Sequence, residues 1–295
     1  MTVENSLVLA VKRAVRERVP VLLPVAGRLY ASTFGFRRER AYLRGRLKTD
    51  CEQPSLVLLS CNRAATQFTE DVLAAIYREA GGRYVALNRY LFFADRDADR
   101  HFLDAEHMRA LMRPTGYFFG QQGPFEDCGF LEEFKAVAMV RDPRDLVVSS
   151  FFSVTRSHVL RNRDDVRRIR EAREAGIQRY VQGEQLLAYY EACLRQNLRL
   201  REKENVLCWR YEDMMERFGE FEASCQEFIL GEARPELSAE LGGRFKGTVT
   251  DGGEDAGRHR RSGRWGQFRT ALEPETIRRL NARFGPLLDA FGYER

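Results

Sequence analysis

The sequence predicts an α/β domain built on a mainly parallel sheet, and three stretches carry that prediction. Ser55–Leu59 (SLVLL), Ala136–Val140 (AVAMV) and Val206–Trp209 (VLCW) are short apolar runs without polar alternation, the pattern of strands buried on both faces. Each gives way to a polar turn and then to helix-like periodicity. The clearest turn follows Val140. Asp142 is a good N-cap, Pro143 suits the first helical position and Asp145 adds negative charge to the first turn, so a helix runs from here through Phe152.

A chain of 295 residues with 44% hydrophobic content makes a sizeable core without covalent staples. Its formal charge of +5 comes from basic residues spread among nearly as many acids. That balance suits an anionic ligand and falls short of a nucleic-acid footprint. Cys51, Cys61, Cys128, Cys193, Cys208 and Cys225 show neither CxxC nor a metal-ligand spacing. They read as buried thiols in a reducing compartment, and no metal site is predicted.

Residues 1–50 differ in composition from residues 51–295 and read as a basic N-terminal extension of the main domain. Leu7, Val11 and Val15 fall at helical spacing among Lys12, Arg13, Arg16 and Arg18. This amphipathic helix fits either a membrane or partner surface, or the domain's own surface. Val19–Gly27 is uncharged, but it is too short to span a bilayer and is broken by Pro20 and Pro24. The expectation is a cytoplasmic protein with peripheral membrane contact through the N-terminal helix.

After SLVLL comes the loop Ser60–Phe68, then an apolar-periodic helix through Tyr77. A loop feeding a helix N-terminus offers backbone N–H groups and the positive end of the dipole to an anion, with Arg63 adding charge and Thr66 a hydroxyl. No GxxxxGK[ST] is present, which argues against an ATP-hydrolysing P-loop. Gly81-Gly82 ends this helix, and Arg83–Leu87 reads as the next strand. The charged stretch Asp95–His107 fits a solvated loop and helix or an acceptor-recognition surface. Gly116–Gly120 reads as a strand running into a Gly-rich turn. Arg161–Arg179 is a charge-laced helix that reads as a solvent face before an acceptor or partner surface. Glu184–Glu204 buries Leu187, Tyr190, Leu194 and Leu198, and Gly242–Gly263 is a loop that orders on ligand binding. Glu273-Pro274-Glu275 opens a last helix that packs Ile277, Leu280 and Phe284 on the sheet.

Arg141 stands at the mouth of the Ala136–Val140 strand, with Ser149 two helical turns on, a rise of roughly 10 Å. One anion there receives a forked Arg pair and a hydroxyl donor. The same spacing fits an Arg salt-bridged to a neighbouring loop and a Ser that packs.

RDPRDLVVSSFF (Arg141–Phe152) resembles the 3′-phosphate-binding segment of sulfotransferases that use 3′-phosphoadenosine 5′-phosphosulfate (PAPS). On that likeness Arg141 and Ser149 hold the 3′-phosphate. The loop Arg63–Phe68 resembles the family's 5′-phosphosulfate cradle, with Arg63 in the basic position, Thr66 as its first Thr and Phe68 where some members stack an aromatic on adenine. It departs from the pattern at Ala64 for Ser, Ala65 for Gly and Gln67 for the second Thr. Without the Gly, the expectation is a loop lacking positive φ. NVLCWRYEDMMERFGEF resembles the strand and helix that reach adenine, which brings Tyr211 there; an inward-packed Tyr is the competing reading. HRRSGRWG resembles the late loop that closes over the 3′-phosphate, with Arg261 and Gly263 fitting best and Arg260 competing.

The resemblance implies a doubly wound α/β fold similar to nucleotide kinases and a PAPS-dependent sulfuryl transfer to a hydroxyl or amine of a small-molecule, glycan or lipid acceptor. Adenosine 3′,5′-bisphosphate (PAP) is then released. Arg63 and the loop amides stabilise the leaving phosphate. Many members carry a catalytic His where Gln121 and Gln122 stand here, and some use a carboxylate instead. Asp95 is the first candidate base, Glu126 the second and His107 the third. Two rivals remain: a nucleotide-kinase-like phosphotransferase and a catalytically silent nucleotide-binding scaffold.

Overall fold

The structure, a computed structural model, describes residues 35–94, 105–125, 129–157, 163–246 and 265–295. Five parallel strands form one sheet: β1 (Leu56–Ser60), β2 (Arg83–Tyr84), β3 (Tyr117–Gln122), β4 (Lys135–Val140) and β5 (Val206–Arg210), in the order β2-β3-β1-β4-β5. Leu56 and Leu58 of β1 and Val137 and Met139 of β4 face one apolar layer; Val57, Leu59, Ala136 and Ala138 face the other. All are fully buried, which is why these strands read as unbroken apolar runs. Complete burial of each Leu contributes about 1.5–3 kcal/mol.

Helices cover both faces. On one lie α2 (Thr66–Glu79), α8 (Tyr211–Glu216), α9 (Phe218–Leu230) and α10 (Pro235–Lys246); on the other lie α5 (Pro143–Phe152), α7 (Glu184–Leu200) and α12 (Pro274–Ala290). The remaining helices among the described residues are α1 (Arg37–Leu43), α3 (Leu87–Ala94), α4 (Ala105–Leu111), α6 (Arg163–Tyr180) and the short α11 (Phe268–Ala271). From β1 the chain winds out through β2 and β3 to one side, and from β4 it winds through β5 to the other. The switch point therefore lies between β1 and β4, where open α/β sheets bind ligands beyond the strands' carboxyl ends.

Two expected elements differ. Arg83–Leu87 is not a full strand: Val85 N–H still reaches Phe118 O at 2.8 Å, but Leu87 N–H turns back to Val85 O at 2.9 Å and α3 begins. The edge strand has one neighbour, so nothing holds it extended once the ladder to β3 stops. Gly242 and Gly243 lie inside α10 rather than opening a loop, because buried Leu241 and the Phe245 ring, stacked 4.2 Å from Phe218, hold that helix to Lys246.

Of the zone before residue 51, α1 packs on the sheet. Tyr42 is buried against Tyr117 and Phe119, and Glu39 Oε1 accepts Ala86 N–H at 2.9 Å. The amphipathic helix expected around Leu7–Arg18 lies outside the described residues, as do Asp95, Glu126, Cys128, Arg260, Arg261, Gly263 and the side chain of His107. Among the described residues the cysteines are free thiols, no group of His, Cys, Asp and Glu is arranged to hold a metal, and no helix is long and apolar enough to cross a membrane.

Candidate active site

Two turns meet at the switch point, one after β1 and one after β4. The first is strongly bent: Arg63 has φ +80° and Ala65 φ +53°, both left-handed. The expectation drawn from the missing Gly is corrected here, since the loop takes positive φ with Cβ-bearing residues. Such a conformation costs roughly 1–2 kcal/mol per residue. What holds it is its surroundings. Ala64 is fully buried, Thr69 N–H closes on Ala65 O at 3.0 Å, and Thr66 Oγ1 ties back to Cys61 O at 3.2 Å and to Ser60 Oγ at 3.1 Å.

The bend leaves α2 open at its N-terminus. No side chain caps its first turn and no acidic residue sits in it. Uncapped N–H groups at the positive end of a 14-residue helix are suited to receiving an anion. The start of α5 is built the opposite way, with Asp142 accepting Arg144 N–H at 2.9 Å and Pro143 in the first turn. That terminus is already satisfied, and what it presents is a side chain, Arg141.

Arg141 is buried and reaches across the switch point, donating from Nη1 to Arg63 O at 2.8 Å. Its guanidinium lies 4.3 Å from the ring centroid of Tyr211, which also covers part of that ring's face, and Nη2 is 3.6 Å from Asp145 Oδ2. Arg141, Tyr211 and the Arg63 loop are thereby brought together. Ser149 is half-buried on α5, Gln67 is exposed, and Phe68 packs 5.6 Å from Phe218 and 5.8 Å from Phe245. Burial pushes the Tyr211 phenol up and lowers the Arg63 pKa, the latter opposed by Tyr190, Tyr180 and Tyr189. Of these, Tyr190 is a core position that the helical periodicity predicts, whereas Tyr180 and Tyr189 carry no such signal; Tyr189 Oη also accepts Asn62 N–H at 3.3 Å.

Asp145 has a second role that its place in the first turn did not suggest. Its carboxylate accepts Gly266 N–H at 2.6 Å and Phe268 N–H at 3.0 Å, residues that follow the HRRSG stretch in the sequence. The i,i+4 spacing from Arg141 was the available signal. Desolvation raises the Asp145 pKa, against the pull of Arg141. Arg144 was also missed. It is fully buried, pairs with Asp142 at 2.7 Å, and donates to Asn281 Oδ1 at 2.8 Å and to Glu294 O at 2.7 Å.

A cleft of about 470 Å³ lies nearby, lined by Asp142, Arg144, Arg210, Glu212, Asp213 and Trp265 among others. Neither Arg141, Tyr211 nor the Arg63 loop lines it, and four of its charged residues pair with one another, Arg210 with Asp213 and Arg144 with Asp142.

Residues 129–240 match the sulfotransferase domain family, a span that includes Arg141, Ser149 and Tyr211. No curated protein matches the sequence significantly. Among solved structures, retinol dehydratase in complex with androsterone and inactive cofactor PAP aligns with a TM-score of 0.51 and 20% identity, over 79% of this chain and 80% of that one. Retinol dehydratase with retinol and PAP gives 0.53 and 17%, over 86% and 85%. Mouse sulfotransferase SULT7A1 complexed with PAP gives 0.53 and 14%, over 87% and 91%. The domain match covers the segment that carries β4, α5 and β5, and the solved structures share the fold of this chain.

Proposed function

We propose that this chain is an enzyme that transfers the sulfuryl group of PAPS to a hydroxyl of a small-molecule acceptor. One observation carries the reading: the uncapped N-terminus of α2 and the Arg141 guanidinium, contributed by turns after β1 and β4, converge at the switch point through Arg141 Nη1 and Arg63 O. Two anion-binding features on one crevice fit a ligand with two separated anionic groups, as PAPS has. The similar solved structures carry PAP and, in retinol dehydratase, androsterone or retinol, which favours a compact acceptor.

In the step itself the acceptor oxygen bonds to sulfur, the bond from sulfur to the bridging oxygen of the 5′-phosphate breaks, and the hydroxyl proton leaves. Negative charge then grows on the departing phosphate. The first-turn amides of α2 and the guanidinium of Arg63 stabilise it there, and the half-buried position of Arg63 strengthens that interaction by limiting its contact with water. Arg141, Ser149 and the Arg260–Gly263 stretch hold the 3′-phosphate, and Phe68 and Tyr211 border the adenine.

The proton is taken by Asp95 or, second, Glu126. Asp95→Asn or Glu126→Gln lowers kcat at least about a hundredfold with PAP affinity retained. Near-normal turnover in both variants removes them from the mechanism.

The test of the function is a titration of PAP and ATP into the pure protein, followed by transfer from labelled PAPS to a panel of alcohols. The reading expects tight PAP binding, weak ATP binding and label in a hydroxyl compound. Preference for ATP contradicts it in favour of a phosphotransferase, and PAP binding without transfer to any acceptor favours a silent scaffold.

A further inference from the structure

Strand β3 takes up an extra residue just before its end. It pairs Phe118 with Leu56 of β1 and then Gln121 with Leu58, so three steps on β3 match two on β1, with Gly120 at φ +69°. A bulge of this kind re-aims the strand end and disrupts the local ladder. Gln121 N–H donates instead to Glu70 Oε1 on α2, at 2.7 Å. The other carboxylate oxygen accepts from Arg89 Nη2 on α3 at 2.7 Å and from Tyr84 Oη on β2 at 3.1 Å. A Cβ at position 120 would lie 2.9 Å from Glu70 Oε1, so the site requires Gly on two counts.

The re-aimed Gln121 side chain turns back across β1. Its Nε2 donates to Ser60 O at 2.7 Å and lies 3.4 Å from Asn62 Oδ1, the residues from which the Arg63 loop departs. Asn88 Nδ2 steadies the same turn by donating to Gln121 O at 2.6 Å. A chain of short hydrogen bonds thus runs from Glu70 through Gln121 to the root of the loop. Glu70 is buried, and desolvation raises its pKa, countered first by Arg89. A buried carboxylate is costly unless several donors converge on it, and here three elements supply them.

We propose that Glu70 is a positioning residue for the donor loop, acting through Gln121: by clamping the bulge it aims the Gln121 amide at Ser60 O and Asn62, and so fixes the left-handed course of Arg63–Ala65. The inference rests on the reading of that loop as the PAPS cradle. Glu70 touches no reacting atom. It sets the geometry in which the α2 amides meet the phosphosulfate.

A double-mutant cycle on Glu70→Gln and Gln121→Ala tests it, with PAP affinity measured by calorimetry and amide exchange of residues 60–66 measured on ligand-free protein. Each single variant weakens PAP about tenfold and speeds exchange in the loop, and the double variant is no worse than the poorer single. Additive losses, or a Glu70→Gln variant with unchanged PAP affinity and unchanged exchange, overturn the proposal. If the wild type binds no PAP, the functional reading fails, and the exchange data alone still decide whether Glu70 acts through Gln121.

Should Glu70→Gln not fold, Arg89→Ala keeps the carboxylate and removes a partner that is 43% exposed. The groups facing Glu70 are Tyr84, Arg89 and, on its own helix, Asp71. Protonating Glu70 loosens the clamp, so PAP affinity falls as pH drops through its raised pKa. Removing the Arg89 charge moves that fall to higher pH; an unmoved fall contradicts the mechanism.

Discussion

The guanidinium of Arg141 donates a 2.8 Å hydrogen bond to the main-chain carbonyl of Arg63, joining the turn after β4 to the turn after β1. The two turns are 78 residues apart in the chain and come from adjacent strands of the sheet. Because the contact is to a carbonyl, it fixes the backbone of the Arg63 loop whatever side chain stands there. Occupancy of Arg141 by an anion and the shape of that loop are therefore coupled.

Ala65 is held at φ +53° as the residue before α2. Replacing it by Gly removes the Cβ penalty but adds unfolded-chain entropy, so Ala65→Gly stabilises the fold by about 0.5–1 kcal/mol in chemical denaturation. PAP affinity stays equal or improves. Destabilisation by a similar amount shows that the strain is not in the loop.

Arg144 joins the start of α5 to α12 and to the main-chain carbonyl of Glu294, and its guanidinium lies 4.1 Å from the ring centroid of Phe268. Removing it leaves Asp142 buried without its counter-charge. Arg144→Ala costs about 3–5 kcal/mol of stability. A loss below about 1 kcal/mol would mean that solvent reaches Asp142.

Asp145 links Arg141 to Gly266 and Phe268 through a carboxylate whose folded pKa is raised above the ordinary 3.8. The folded state therefore holds this proton more tightly than the unfolded chain does. The Asp145 contribution to stability declines as pH rises from about 3.8 to the raised folded value. Asp145→Asn abolishes that component. It also loses one of the two N–H bonds, since an amide has a single acceptor oxygen. Unfolding curves recorded at rising pH from just below 3.8 read both effects, and an unchanged pH slope in the variant refutes the assignment.

The fold was legible because burial on both faces leaves strands such as SLVLL and AVAMV with no polar alternation to confuse them, and because Asp142-Pro143 marks a helix start chemically. The place of Arg141 between strand and helix was legible for the same reason, since it stands between two clear signals. Arg144 was not. An Arg beside an N-cap reads as a solvated charge, and its burial depends on an amide and a carbonyl 137 and 150 residues away. The shape of the Arg63 loop was misread because identity at Ala65 argued against positive φ, while the contacts that impose it, from Ser60, Cys61 and Arg141, are tertiary. The bulge at Gly120 belongs to the same class: register is a property of two strands, and one strand's residues do not state it.

The most direct measurement is the affinity of wild type and Arg141→Ala for PAP and for adenosine 5′-phosphosulfate, which lacks the 3′-phosphate. A hydrogen bond to a charged group contributes about 1.5–3 kcal/mol, so the variant weakens PAP by roughly ten- to a hundredfold more than it weakens adenosine 5′-phosphosulfate, which feels only the loss of the bond to the Arg63 carbonyl. Equal weakening of both ligands would assign Arg141 to holding the Arg63 carbonyl alone, and would contradict its role as the reader of the 3′-phosphate.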